Sequence, residues 1–240
     1  MTEPLYHTDS YLREFTATVT AVDAESHAVV LDRTAFYPGG GGQPCDEGTL
    51  TVDGVVYPVS RVQKAGPDIL HIIDGETLPG VGAQASGALN WERRYQLMRT
   101  HTAMHILCGV VFRDYGAQVT GGNMDPLAGR MDFEFESMRQ ELVHEIEGRI
   151  NAEIAQKRAV RVRILPRDEA FGIPDLIRTK INLLPEGITE VRTVEIVGLD
   201  LQADGGTHVA NTAEVGHLCV VDYKSKGKIN KRIYVEVSDQ

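Results

Sequence analysis

The first ninety residues are a succession of short β-prone runs cut by turn residues, and that texture restricts the N-terminal part of the chain to small β architectures. Residues 15–20 and 27–32 read as two strands around a turn. Residues 49–59 contain "TVDGVVYPV", in which Asp53-Gly54 is a hairpin signal between two β-prone stretches. Residues 69–73 form another short run, closed by Asp74-Gly75. Strands this short and this closely spaced predict a small barrel rather than a layered α/β unit. Residues 78–88, rich in Gly and Ala, end the pattern.

The texture then changes. Asn90 can cap a helix starting at Trp91, with Glu92 in its first turn, running to about Phe112. Residues 130–136, "RMDFEFE", alternate Met131, Phe133 and Phe135 with polar residues, as a half-buried strand does. Ser137 with Gln140 makes a capping box for a second helix, whose apolar stripe is Met138, Leu142, Ile146, Ile150 and Ile154. Strands are expected again at 160–165, 191–197, 218–221 and 232–237, with a short helical turn at 168–171. Helices beside strands without βαβ regularity predict an α+β class. The expected organisation is a β-barrel domain over residues 1–88, followed by an α+β domain over 89–240 with helices packed on an antiparallel sheet.

Of the 240 residues, 42% are hydrophobic and 24% charged, as in ordinary folded proteins. Cys45, Cys108 and Cys219 are few and scattered and form no CxxC pair, so no disulfide scaffold is indicated and a reducing compartment is the plain reading. No apolar targeting segment and no run of 18 apolar residues is present, which predicts a cytoplasmic protein with no membrane partner. A net charge of −10 argues against non-specific nucleic-acid binding, while leaving room for a local basic site.

Two segments carry metal-ligand chemistry. In "HTAMH", His101 and His105 stand four apart, so a helix places both imidazoles on one face. Histidines so spaced are common, and most such pairs bind nothing. The glutamate of an HExxH protease is absent, because Thr102 and Ala103 fill the next two positions. In "DGGTH", a tight turn can bring Asp204 and His208 to one point, or can simply expose a solvated aspartate. Cys108 shares the face of His101 and His105, but a small buried cysteine is the plainer reading. His71, His144 and His217 have no partner pattern and read as structural or solvated. No GxSxG motif is present, so a serine nucleophile is not indicated.

With these segments in view, four stretches in order resemble the free-standing alanyl-tRNA editing proteins, the AlaX group, relatives of the editing domain of alanyl-tRNA synthetase. They are "DRTAFYPGGGGQPCDEG" at 32–48, "RTHTAMHIL" at 99–107, "DGGTHVANTAEVG" at 204–216 and "SKGKINKRIYVEV" at 225–237. The first stretch resembles the longer form of the group, in which a β-barrel of translation-protein type precedes the alanyl/threonyl-tRNA synthetase-like editing domain. The resemblance implies hydrolysis of the ester in mischarged tRNA(Ala), chiefly with serine and secondarily with glycine, at one zinc ion per chain.

It also implies site residues. His101, His105 and His208 match the group's zinc ligands. Asp204 stands where the group commonly has cysteine; it either ligates through oxygen or leaves three histidines and a water. Thr34 is implied as a catalytic-pocket residue that bonds the serine hydroxyl. Gly40, Gly41, Gly42 and Gln43 are implied to approach the substrate. By themselves these glycines fit a barrel turn equally well, and without a following GK[ST] they are no P-loop. Lys226, Lys228, Lys231 and Arg232 are implied to meet RNA phosphates, although an isolated basic run is more often a solvated hairpin. Two other readings stay open: a metal-dependent hydrolase of small esters or amides, and a non-catalytic RNA-binding relative. Monomer and homodimer both remain compatible.

Overall fold

The computed structural model describes residues 1–178 and 187–239. The chain divides into two compact units, Met1–Gln96 and Leu97–Gln240.

In the first unit, β1 (Glu3–Pro4) pairs in parallel with β4 (Arg33–Thr34). Six further strands close a barrel: β2 (Glu14–Asp23), β3 (Ala28–Leu31), β5 (Gly48–Val52), β6 (Val55–Ala65), β7 (Asp68–Ile73) and β8 (Gln84–Leu89), in the order β2-β3-β7-β6-β5-β8. The expected barrel is therefore present. Its β5–β6 hairpin turns at Asp53 and Gly54, both with positive φ, as a two-residue primed turn requires.

The structure corrects the reading of residues 78–88 as the end of the pattern, because β8 is the strand that closes the barrel. Its small residues have a packing cause. A Cβ on Gly87 would lie 2.3 Å from the Phe15 ring, so glycine leaves the space that Phe15 fills. Leu31, Leu50 and Phe36 are fully buried nearby. Each contributes roughly 1.5–3 kcal/mol by leaving water.

α1 (Trp91–Tyr115) crosses the division between the units. Asn90 caps it as expected, with Oδ1 accepting from the Arg93 amide at 3.2 Å. From Leu97 to Val111 every residue of α1 is buried.

The second unit adds β9 (Val119–Asp125), β10 (Ala128–Glu134), α2 (Gln140–Ala155), β11 (Val160–Pro166), α3 (Arg167–Phe171), β12 (Glu190–Ile196), β13 (Asp200–Ala203), β14 (His217–Ser225) and β15 (Asn230–Ser238). One antiparallel sheet has the order β14-β15-β10-β9 and another β11-β12-β13. Met104 of α1 lies against β10, where a Cβ on Gly129 would come within 2.8 Å of its sulfur. α2 is tied to β14 through Asn151, which donates to Leu218 O and accepts from Leu218 N, and through Glu147, which accepts from Val220 N. Helices thus pack on antiparallel sheet, as an α+β class predicts.

The Ser137 capping box is a second correction. α2 begins at Gln140 after an extended Arg139, with no side-chain cap. Phe135, packed edge-on against Tyr115 and Phe133, holds the chain at the sheet, so the helix starts later than the capping pattern suggests. Its buried stripe is Val143, Ile146, Ile150 and Ile154, with Leu142 only half-buried and Met138 ahead of the helix.

Candidate metal centre

The second unit brings His101, His105, Asp204 and His208 together, with one ligand-type atom from each lying within 4.8 Å of the others. α1 supplies the first two from successive turns. The segment after β13 supplies the others. Asp204 shapes that segment with its own carboxylate, which accepts from Gly206 N at 2.8 Å and sits 3.0 Å from His208 Nε2. Neither Gly205 nor Gly206 takes a positive φ, so the turn rests on the aspartate rather than on glycine's freedom. His101 Nε2 lies 3.6 Å from Asp204 Oδ1, and the His101 and His208 rings stack at 4.2 Å.

The surroundings set protonation states. Burial, the largest influence, lowers His101 to about 4, with Asp204 opposing and His105 and Arg192 assisting. Burial likewise pulls His208 well below its ordinary value. Burial alone would raise Asp204, but His101 and His208 outweigh it and hold the carboxyl well below the usual range. An ionised carboxylate beside the neutral imidazoles of His101 and His208 is the form that metal binding needs. His105 goes the other way: burial alone would lower it, but the Asp200 and Asp204 carboxylates outweigh burial and raise it, so a metal ion would have to displace a proton there. Three nitrogens and one oxygen, all nearly buried, also make a donor set that suits zinc.

The imidazoles are held from behind. Thr102 Oγ1 is 3.1 Å from His208 Nδ1 and accepts from Val209 N at 3.2 Å. The Thr207 main chain accepts from His101. Arg192 donates to the Asp204 carbonyl at 2.9 Å and has a nitrogen 3.7 Å from its carboxylate. Thr102 and Arg192 carry no spacing signal in the sequence that would mark them as part of the site. Cys108 is buried with its thiol pushed far up by desolvation, and it stands outside the four-donor group.

The other expected site residues have these placements. Thr34 is fully buried in the barrel unit. Its Oγ1 lies 2.8 Å from His71 Nε2 and accepts from Phe36 N at 3.1 Å. His71 therefore has a partner, and its Nδ1 is 3.3 Å from Val29 O. Gly40, Gly41 and Gly42 all have positive φ, and Gly40 and Gln43 form a bridge, so the stretch is a tight turn. Gln43 is buried, and Tyr37 Oη donates to Gly40 O at 2.9 Å. In the β14–β15 hairpin, Lys226 and Lys228 are exposed. Lys231 is buried and donates to the carbonyls of Gly227 and Lys228, while Arg232 donates to both Asp132 oxygens.

His71 yields a pH prediction. Desolvation lowers it to about 4, against smaller backbone effects of Val29 and Ile69. The unfolded chain binds a proton there near pH 6.5, and the folded chain only near 4. The stability contributed is full above pH 6.5 and falls as pH drops towards 4, by about 3 kcal/mol for this group. Ring NMR should show His71 neutral at pH 5.5, with the unfolding midpoint declining across that window. A His71 titration near 6.5 would contradict the buried, neutral assignment.

Among the described residues, no helix is long and apolar enough to cross a membrane. Two family models each match part of the chain. Residues 8–93 match the family model of tRNA synthetases class II (A), and residues 191–234 match the threonyl and alanyl tRNA synthetase second additional domain. The alanyl-tRNA editing protein AlaX-M of Methanosarcina barkeri is 41% identical, with all of both chains covered. That of Saccharolobus solfataricus is 39% identical over 99% of each chain. The alanine–tRNA ligase of Ignicoccus hospitalis is 38% identical over 92% of this chain but only 24% of its own length, so the likeness is to one part of that larger enzyme. Full-length identity at this level, joined to the four-donor cluster, places the chain in the AlaX-M family of alanyl-tRNA editing proteins.

Proposed function

We propose that the protein hydrolyses the ester of mischarged tRNA(Ala) in trans, chiefly with serine attached and secondarily with glycine, at one zinc ion held by His101, His105, His208 and Asp204. The observation that supports this most is the buried cluster of three imidazoles and a carboxylate in a chain of this family. Binding alone separates small amino acids poorly, so a second, hydrolytic sieve has a use. In this reading residues 1–88 are the barrel domain of translation-protein type and 89–240 the editing domain, working in the cytoplasm.

A divalent ion in such a site activates water or polarises an ester carbonyl. The chain's own contribution is positional. Thr102 and the Thr207 main chain hold two imidazoles in one orientation each, and Arg192 steadies the turn carrying Asp204. Thr34 and the Gly40–Gln43 turn are assigned to substrate recognition. The resemblance assigns the Thr34 hydroxyl to bond the serine hydroxyl, which alanine lacks; since that oxygen is buried and engaged by His71 and the Phe36 amide, recognition requires it to exchange one of these partners. Elemental analysis of protein purified without added metal tests the reading; one zinc per chain is expected. Turnover of small free esters, with tRNA esters untouched, would favour a general hydrolase instead.

Lys226 and Lys228 are the exposed cations assigned to RNA phosphates. Replacing both with glutamine is expected to weaken tRNA binding and to reduce its log–log salt slope by about 2, roughly one per phosphate contact. An unchanged slope in a binding titration would assign both to a solvated surface. Lys231 and Arg232, engaged within the sheet, are expected to contribute less to RNA and more to the hairpin.

A further inference from the structure

Beside Nδ1 of His105 lies the carboxylate of Asp200, a residue outside the four-donor group, whose side chain has no solvent exposure. Its Oδ2 is 3.3 Å from His105 Nδ1. That contact leaves Nε2 as the ring nitrogen available to the cluster. The approach is built into the packing of β13 on α1. Gly109 stands one turn after His105, and a Cβ there would lie 3.0 Å from Asp200 Cβ and 3.0 Å from Leu199 Cγ. A side chain at 109 would require Asp200 or Leu199 to give way by a few tenths of an ångström, so glycine permits this close approach.

The carboxylate is itself held in place. Gln202 Nε2 donates to Oδ2 at 2.6 Å, and Arg178 Nε lies 3.5 Å from Oδ1. The groups behind the other two imidazoles, the Thr102 hydroxyl and the Thr207 main chain, are neutral.

We propose that Asp200 is a positioning residue of the metal centre, which accepts the Nδ1 proton of His105 and thereby fixes the tautomer whose lone pair is on Nε2. An imidazole backed by a carboxylate is both oriented and a stronger donor than one backed by a neutral group. This rests on the metal reading of the cluster. A purely structural Asp200, serving only as the partner of Arg178, would affect folding but not the metal.

The test uses Asp200→Asn and Asp200→Ala in the full chain, with zinc affinity measured by chelator competition. Asparagine can still accept the Nδ1 proton but carries no charge; alanine does neither. Zinc binding is expected to weaken about 10-fold in the first and towards 100-fold in the second. Ring-nitrogen NMR of the zinc-free wild type should show His105 with its neutral-form proton on Nδ1. Should Asp200→Ala fail to fold, Asp200→Asn and the wild-type tautomer decide. Zinc affinity within threefold of wild type in every folded variant, or a His105 proton on Nε2, overturns the proposal. A wild type that binds no zinc overturns the metal reading as well, which separates the two failures.

Discussion

His208→Ala is expected to strip the metal and to slow release of serine from mischarged tRNA(Ala) by about 100-fold or more. Loss of a residue that merely supports a ligand costs 10–100-fold, so loss of a ligand costs at least as much. His208 is placed to be one: it is buried, its ring stacks on His101, and its Nδ1 is fixed by Thr102. Asp204→Ala is expected to lose less metal, because three imidazoles persist. The companion variant Asp204→Cys should keep zinc, a thiolate being the better ligand for this ion. Zinc content after dialysis against a chelator, measured beside serine release, makes the comparison. Equal loss in Asp204→Ala and His208→Ala would make the carboxylate an indispensable ligand. Full release by both would remove the metal from the mechanism.

The largest stability effect is expected in the barrel unit, at Arg94 and Asp46. Both side chains are essentially buried, and Arg94 Nε donates to the two Asp46 oxygens at 3.0 Å each. The guanidinium also donates to Ala35 O at 2.6 Å and Ser10 O at 2.9 Å, and Asp46 accepts from Tyr37 N. Nearly every polar group of the pair is therefore satisfied, and removing one partner leaves the other charged and buried. Asp46→Ala or Arg94→Met should each cost about 3–5 kcal/mol. The double variant should cost clearly less than the sum of the two. Denaturant unfolding of the three proteins decides; additive losses, or single losses under about 1 kcal/mol, would refute the buried-pair account.

What the sequence made legible follows from which forces are local. The Asp53-Gly54 turn and the Asn90 cap act within a few residues of themselves, and both form as written. β8, β9 and β13 carry no comparable signal. β8 is small because Phe15, seventy residues earlier, needs the space over Gly87. β9 contains Gly121 and Gly122, which hide its strand character, although it pairs along β10. In the metal centre, His101 and His105 announce themselves by helical spacing, and "DGGTH" by its turn. Asp200 does not, since it meets His105 only through the close approach at Gly109. The charge of Lys231 is visible in sequence. The carbonyls of Gly227 and Lys228 that engage it are not.

The most direct test follows release of amino acid from tRNA(Ala) charged with serine, glycine or alanine, using protein that is zinc-loaded, chelator-stripped or reloaded. Fast release of serine, slower release of glycine and sparing of alanine are expected, with activity lost on stripping and restored by zinc. Equal release of all three, or serine release unaffected by complete removal of metal, would contradict a zinc-centred editing site at His101, His105, Asp204 and His208.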